Sequence, residues 1–175
     1  PNALQEAVKN NWKPLTWVSG TCISKTLMGI AGTAADNVYA STNVKDPMNP
    51  VFADDPAMKE YLQVLKDFGA SDVDPENGIV AYGYTQAAVL VKVLGSLDEP
   101  SRAALMNAMY DLDYTDLGLI IEGVTIKTTE DDPYLAENLQ LIQYDAANKY
   151  FENVGDVIDF EGKTKELTPE DLING

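Results

Sequence analysis

The sequence predicts an α/β chain: a parallel sheet covered by helices and closed by a C-terminal β-hairpin. Three observations predict it. Residues 1–70 alternate in pattern between helix and strand, five elements in turn, which is how a parallel sheet with crossover helices is written. Residues 79–97 read as one helix that is apolar nearly all round, with Lys92 its only charge, so most of its sides expect a partner. Residues 138–144 and 149–160 read as two strands joined at Asp145-Ala146-Ala147-Asn148, a hairpin.

The elements follow in order. Ala3, Leu4, Ala7 and Val8 share one side of a short helix over 3–10, which Asn10-Asn11 ends. Pro14 to Gly20 reads as a short buried strand stopped by its glycine. Ser24 to Ala35 suits a helix weakened by Gly29 and Gly32, and Val38 to Thr42 suits a strand. After a loop with Pro47 and Pro50, Asp55-Pro56 opens a helix, with Asp as N-cap and Pro in the first helical position. Met58, Tyr61, Leu62, Leu65 and Phe68 mark its apolar face, and Gly69 stops it. Ser71 to Gly78 is a polar connector. Glu99-Pro100 starts another helix with Leu105, Met106, Met109 and Leu112 inward, and Leu119 to Thr128 is extended around Gly123. Thr168-Pro169-Glu170 offers one last helical turn.

Composition excludes some functions. With 28 acidic against 12 basic residues, a net charge of −16, the chain lacks the clustered Lys and Arg that phosphate backbones require. The acidic residues are dispersed among apolar ones and read as a solvated surface rather than disorder. No uninterrupted apolar run reaches the ~18 residues of a membrane span. One cysteine excludes an internal disulfide, and the absence of histidine removes the commonest general base and metal ligand. The start at Pro1, directly into a helical pattern, reads as a fragment or a processed product.

Few stretches carry chemistry. Asp72-Val73-Asp74-Pro75-Glu76-Asn77-Gly78 loosely follows a calcium loop but has Asn77 where Gly is needed and Gly83 where Glu is needed. Gly29-Ile30-Ala31-Gly32 has no Lys-Ser/Thr pair after it and is no phosphate loop. Cys22 follows a strand-ending glycine, where nucleophiles can sit, yet no histidine exists to activate it. Asp36 falls where a helix ends and a strand begins, facing the negative end of the helix dipole, with Asn37 suited to a left-handed cap. Local pattern reads Asp36 as a solvated loop residue; the other reading places it in a cleft, holding a cationic group. The first strand delivers Gly20, Thr21 and Cys22 to its carboxyl end, where open α/β sheets bind ligands.

The order Val18-Ser19-Gly20-Thr21, helix, Ala31-Gly32-Thr33-Ala34-Ala35-Asp36-Asn37-Val38-Tyr39, then Asp55-Pro56, resembles the branched-chain amino-acid-binding proteins, the type I periplasmic substrate-binding proteins of ABC importers. Tyr82-Gly83-Tyr84-Thr85-Gln86-Ala87-Ala88 and the ending Leu139-Gln140-Leu141-Ile142-Gln143-Tyr144-Asp145 with Val154-Gly155-Asp156-Val157 extend the resemblance over nearly the whole chain. It implies the C-terminal half of a two-lobed protein: a three-layer parallel-sheet lobe, with helices that belong to the partner lobe and a C-terminal hairpin. By this resemblance residues 1–77 form the second-lobe segment, 79–117 helices returning to the first lobe, and 118–175 the crossing back, hairpin and tail. The implied function is capture of an amino acid or related organic acid between lobes and delivery to an ABC permease, without catalysis, cofactor or metal. The implied location is periplasmic or extracellular, with a lipoprotein anchor through an N-terminal half. The resemblance also places Gly20, Thr21, Cys22 and Asp36 at the ligand, with Asp36, one methylene shorter than the family's Glu, on its ammonium group. Two other readings stand beside it: a sensing module of a regulator or receptor with the same lobes, and an α/β enzyme with Cys22 as nucleophile.

Overall fold

A computed structural model of the chain describes residues 1–164, so the helical turn expected at Thr168 lies outside the described residues. Helix α1, Asn2–Lys9, buries Ala7 and leans Leu4 on the first core. The strand expected over residues 14–20 is reduced to a single parallel bridge between Trp17 and Tyr39. There the Tyr39 N–H donates to the Thr16 carbonyl at 2.9 Å and the Val18 N–H donates to the Tyr39 carbonyl at 2.8 Å. Pro14 has no N–H to extend the ladder upstream, and Gly20 to Cys22 curl into a 3₁₀ turn downstream. Helix α2, Lys25–Ala31, starts on the Ser24 hydroxyl, which accepts from the Leu27 N–H at 3.4 Å. The helix expected to run to Ala35 breaks at Gly32, whose φ of +58° sends the chain into a second 3₁₀ turn. Asn37 takes the left-handed conformation, φ +64°, before strand β1, Tyr39–Thr42.

Helix α3, Pro56–Phe68, begins as the sequence dictates: the Asp55 carboxylate accepts from the Met58 N–H at 3.1 Å and Pro56 occupies the first turn. Tyr61 is fully buried on it; its hydroxyl donates to the Pro75 carbonyl at 2.8 Å and its ring meets Tyr84 edge-on at 5.1 Å. Burial, with the Asp74 charge nearby, pushes the Tyr61 hydroxyl up to about 12, so it stays a donor. Helix α4, Gly78–Gly95, is capped by Asn77. By length and composition α4 could cross a bilayer, although Thr85, Gln86 and Lys92 interrupt its apolar run. It buries one stripe, Ala81, Thr85, Val89 and Val93, and leaves Ile79, Tyr82, Leu90, Val91 and Leu94 exposed, so it is far less covered than its composition predicts. Helix α5, Arg102–Met109, is capped by Ser101 instead of Glu99, because the Ser101 hydroxyl reaches the Ala104 N–H at 3.1 Å.

Strands β2, Asp113–Tyr114, and β3, Ile126–Lys127, form a two-residue antiparallel ladder. The extended segment expected over 119–128 is mostly irregular, since Gly118 (φ +58°) and Gly123 (φ +90°) turn the chain. Strand β4, Asn138–Asp145, is central, with β1 on one side and β5, Tyr150–Asp159, on the other. Both pairings are antiparallel, so the parallel character expected of the sheet is confined to the Trp17–Tyr39 bridge. The β4–β5 ladder is interrupted between Leu139 and Leu141. There the Gln140 amide donates to the carbonyls of Leu141, Val154 and Gly155 at 2.9–3.1 Å.

The described residues form three apolar cores. Met28, Ala31, Ala35, Val38 and Ala40 meet Ile142, Tyr144 and Phe151 in the first. Val89 and Val93 meet Leu112, Ile120, Ile121, Val124 and Ile126 in the second. Val44, Met58, Tyr61, Ala81 and Leu119 join them in the third. Beside the third core the buried Lys45 ammonium pairs with Asp55 at 2.7 Å. Burial works to raise the Asp55 carboxyl. The Lys45 hydrogen bond and charge, with the Met58 and Ala57 amides, outweigh it and hold the group below the usual carboxylate value. A lowered folded-state value means that stability is present above pH ~4 and is lost as acidification passes through the folded value. Asp55→Asn, which strands a buried ammonium, should cost about 3–5 kcal/mol in urea unfolding at pH 7. Adding Lys45→Met should recover most of that loss and flatten the acid dependence.

Candidate functional site

A cavity of about 450 Å³ opens at the carboxyl ends of the Trp17 segment and β1. Its rim is polar: Ser19, Gly20 and Thr21 from the 3₁₀ turn, then Ser41, Thr42 and Asn43 as β1 runs out, with Asn153 from β5. Its walls are apolar: Ile23, Val44, Phe52, Ile121, Leu139, Ile142 and Phe151, with Ile79 and Tyr82 from the first turns of α4. Chain segments far apart in sequence thus converge on one hollow.

The rim hydroxyls are already ordered. Ser19 and Thr21 share a hydrogen bond at 2.8 Å, and Thr42 donates to the Val44 carbonyl at 3.0 Å while accepting the Val44 N–H at 3.1 Å. Charges in the wall are spoken for. Lys45 is neutralised by Asp55, and the Asp46 carboxylate accepts from the Met48 N–H at 2.9 Å. Burial raises the Asp46 carboxyl above its ordinary value, against the pull of the Met48 and Phe151 amides. Such a hollow suits a small molecule with an apolar body and a few polar groups left at the mouth.

Of the residues singled out by sequence, Gly20 and Thr21 line the cavity. Cys22 does not line it; it is half-buried beside the rim with its thiol 3.6 Å from the Ser19 hydroxyl. Asp36 is elsewhere. It precedes β1 and does not line the cavity, which takes its lining from Ser41 onward at the other end of that strand. Its carboxylate accepts from the Ala146 N–H at 3.1 Å and the Asn37 amide at 2.8 Å, and Asn37 accepts from Gln143 at 3.0 Å. Asp36 thus stands outside this hollow, and its carboxylate caps the hairpin turn. Lys45, Asp46, Phe52, Tyr82, Ile121 and Phe151 were not picked out by sequence. Among them only Tyr82 lies in a sequence motif, Tyr82-Gly83-Tyr84-Thr85-Gln86-Ala87-Ala88.

The geometry defines an α/β chain with a hollow at strand ends. No family model and no curated protein matches the sequence. Solved structures do match in fold. A branched-chain amino-acid ABC transporter protein from Thermus thermophilus, with bound valine, superposes with a TM-score of 0.67 at 17% identity, over 90% of this chain and 42% of that one. A possible leucine/isoleucine/valine-binding protein from Rhodopirellula baltica gives 0.68 at 19%, over 87% and 38%. A fatty acid ABC transporter substrate-binding protein from Thermomonospora curvata gives 0.63 at 19%, over 89% and 39%. The chain therefore has the type I periplasmic-binding-protein fold in part, spanning about two fifths of these structures' lengths.

The position of Asp36 yields a clean expectation. Asp36→Asn should lower stability by about 0.5–1.5 kcal/mol through the weakened hairpin cap and leave ligand affinity unchanged. A 2–5 kcal/mol loss of binding in titration calorimetry would instead restore the ammonium-pairing role.

Proposed function

We propose that this chain is part of an extracytoplasmic solute-binding protein that captures a small amino acid or related organic acid and delivers it to an ABC permease. The observation that carries the reading is the apolar, polar-rimmed cavity at the strand ends of this particular fold. The valine and fatty-acid names of the neighbours describe ligands with an apolar body and one carboxylate, which is what the walls and rim of this cavity suit. In this reading Gly20 and Thr21 touch the ligand, Cys22 supports the turn that carries them, and no residue acts catalytically.

The first and second cores favour a division of the chain: residues 4–40 with the hairpin build the first, and the later part of α4 with α5 and residues 112–126 builds the second, while the third core joins Met58 and Tyr61 to Ala81 and Leu119 between them. Residues 79–117 then belong with a first lobe, and 118–175 cross back. Ligand bridging the lobes stabilises their closed arrangement, which docks on the permease outside the cytoplasm.

The test is a thermal-shift screen of the full-length gene product with aliphatic amino acids, aromatic acids and fatty acids. A ligand at 100 times its dissociation constant adds about 2.7 kcal/mol. Ile79→Trp, which projects a ring into the mouth from an exposed position, should weaken the responding ligand by about tenfold or more while leaving the unliganded melting temperature within a degree or two. No response in any class, or a response that Ile79→Trp leaves untouched, overturns the assignment.

A further inference from the structure

One carboxylate in the cavity wall is only half used. Asp46 is half-buried and lines both the large cavity and a smaller hollow of about 10 Å³ that shares Ile23, Gly78 and Phe151 with it. The Met48 N–H donates to Asp46 Oδ1 at 2.9 Å. Among the described residues Oδ2 accepts no hydrogen bond, and no fully buried side-chain oxygen among them lacks a partner, so Oδ2 is open to the space around it. No side-chain cation answers it there. Lys45 is taken by Asp55, and Lys25 by Asp74 and Glu76. The exposed Lys149 lines the smaller hollow without pairing with Asp46. Burial accordingly raises the Asp46 carboxyl, despite the Met48 amide and a weaker pull from Phe151. An anion withdrawn from water, with a free oxygen and no counter-ion, is stabilised by a cation delivered to it.

We propose that Asp46 sets the ligand class of this cavity: its free Oδ2 accepts from the ammonium group of an apolar amino acid, and the same acid without its amine is rejected. The inference rests on the solute-binding reading above and decides between the two classes which that reading leaves open. The apolar walls take the body of either class equally, so they do not discriminate. The charge does. An amino acid brings Asp46 the cation it lacks and turns its own carboxylate away from it. An amine-free acid brings a second anion into a wall whose one buried cation, Lys45, is already neutralised.

Titration calorimetry on the full-length gene product tests it with matched pairs: valine against isovalerate, and phenylalanine against hydrocinnamate. The amino acid of the pair that binds should bind about 30-fold or more tightly than its amine-free partner. Asp46→Asn keeps the shape and an acceptor for the Met48 N–H. It should weaken the amino acid about 30-fold or more and leave the amine-free acid within about threefold. Asp46→Ser, which also leaves an acceptor for Met48, is the second variant, and the unliganded melting temperature of each is the folding control. An amine-free acid that binds as tightly as its amino-acid partner overturns the role of Asp46 and leaves the solute-binding reading standing. So does an equal loss for both members of a pair in the variants, which marks a structural role, or an amino acid whose affinity the variants leave unchanged. A wild-type protein that binds neither these pairs nor any class of the thermal-shift screen overturns both readings.

Discussion

The cavity depends on how residues 43–46 are tied down as the chain leaves β1. Their backbone joins the later part of the sequence: the Lys45 N–H donates to the Leu119 carbonyl at 2.8 Å and the Ile121 N–H donates to the Asn43 carbonyl at 3.1 Å. Their side chains fasten the loop below, Lys45 to the first turn of α3 and Asp46 to the Met48 amide. Val44 closes the third core between them. These ties fix the floor of the hollow in position relative to the 3₁₀ turn at Gly20 and the start of α4. A buried ammonium is an expensive way to hold a loop, and its cost is offset here because Asp55 serves twice, as counter-ion and as helix cap.

Local signals were legible where local chemistry decides. Asp55-Pro56, Gly69 and Asn37 do what their types dictate, since caps and left-handed turns are settled within a few residues. The hairpin was legible for the same reason, its turn being held by the Asp145 carboxylate on the Ala147 and Asn148 amides. Long-range pairing was not. The Trp17 strand and the 119–128 segment look alike as β-rich runs, yet the first forms a single bridge and the second one bridge and a two-residue ladder, because a strand needs neighbours the run itself cannot specify.

The site divides along the same line. Gly20 and Thr21 reach the lining of the hollow because a strand segment followed by a glycine turn ends there. Asp36 stands outside it, because sequence shows that a carboxylate adjoins a strand but not at which end of the sheet the hollow forms. Phe52, Ile121 and Phe151 are ordinary apolar residues, and only tertiary structure brings them to one wall. Within the described structure α4 contradicts its own composition in an informative way. It has apolar residues all round yet buries a single stripe, Ala81, Thr85, Val89 and Val93.

The interruption at Gln140 has a mechanical consequence. Toward the turn, Phe151 packs in the first core; within the interruption, Val157 packs on the second. The hairpin thus touches both cores, and its ladder is broken where the second contact falls. Bending stiffness falls where the cross-links are missing, so compliance concentrates at residues 155–157, opposite one side-chain amide whose three contacts can stretch in turn. Load along the hairpin is carried at that point by the Gln140 side chain rather than by ladder hydrogen bonds.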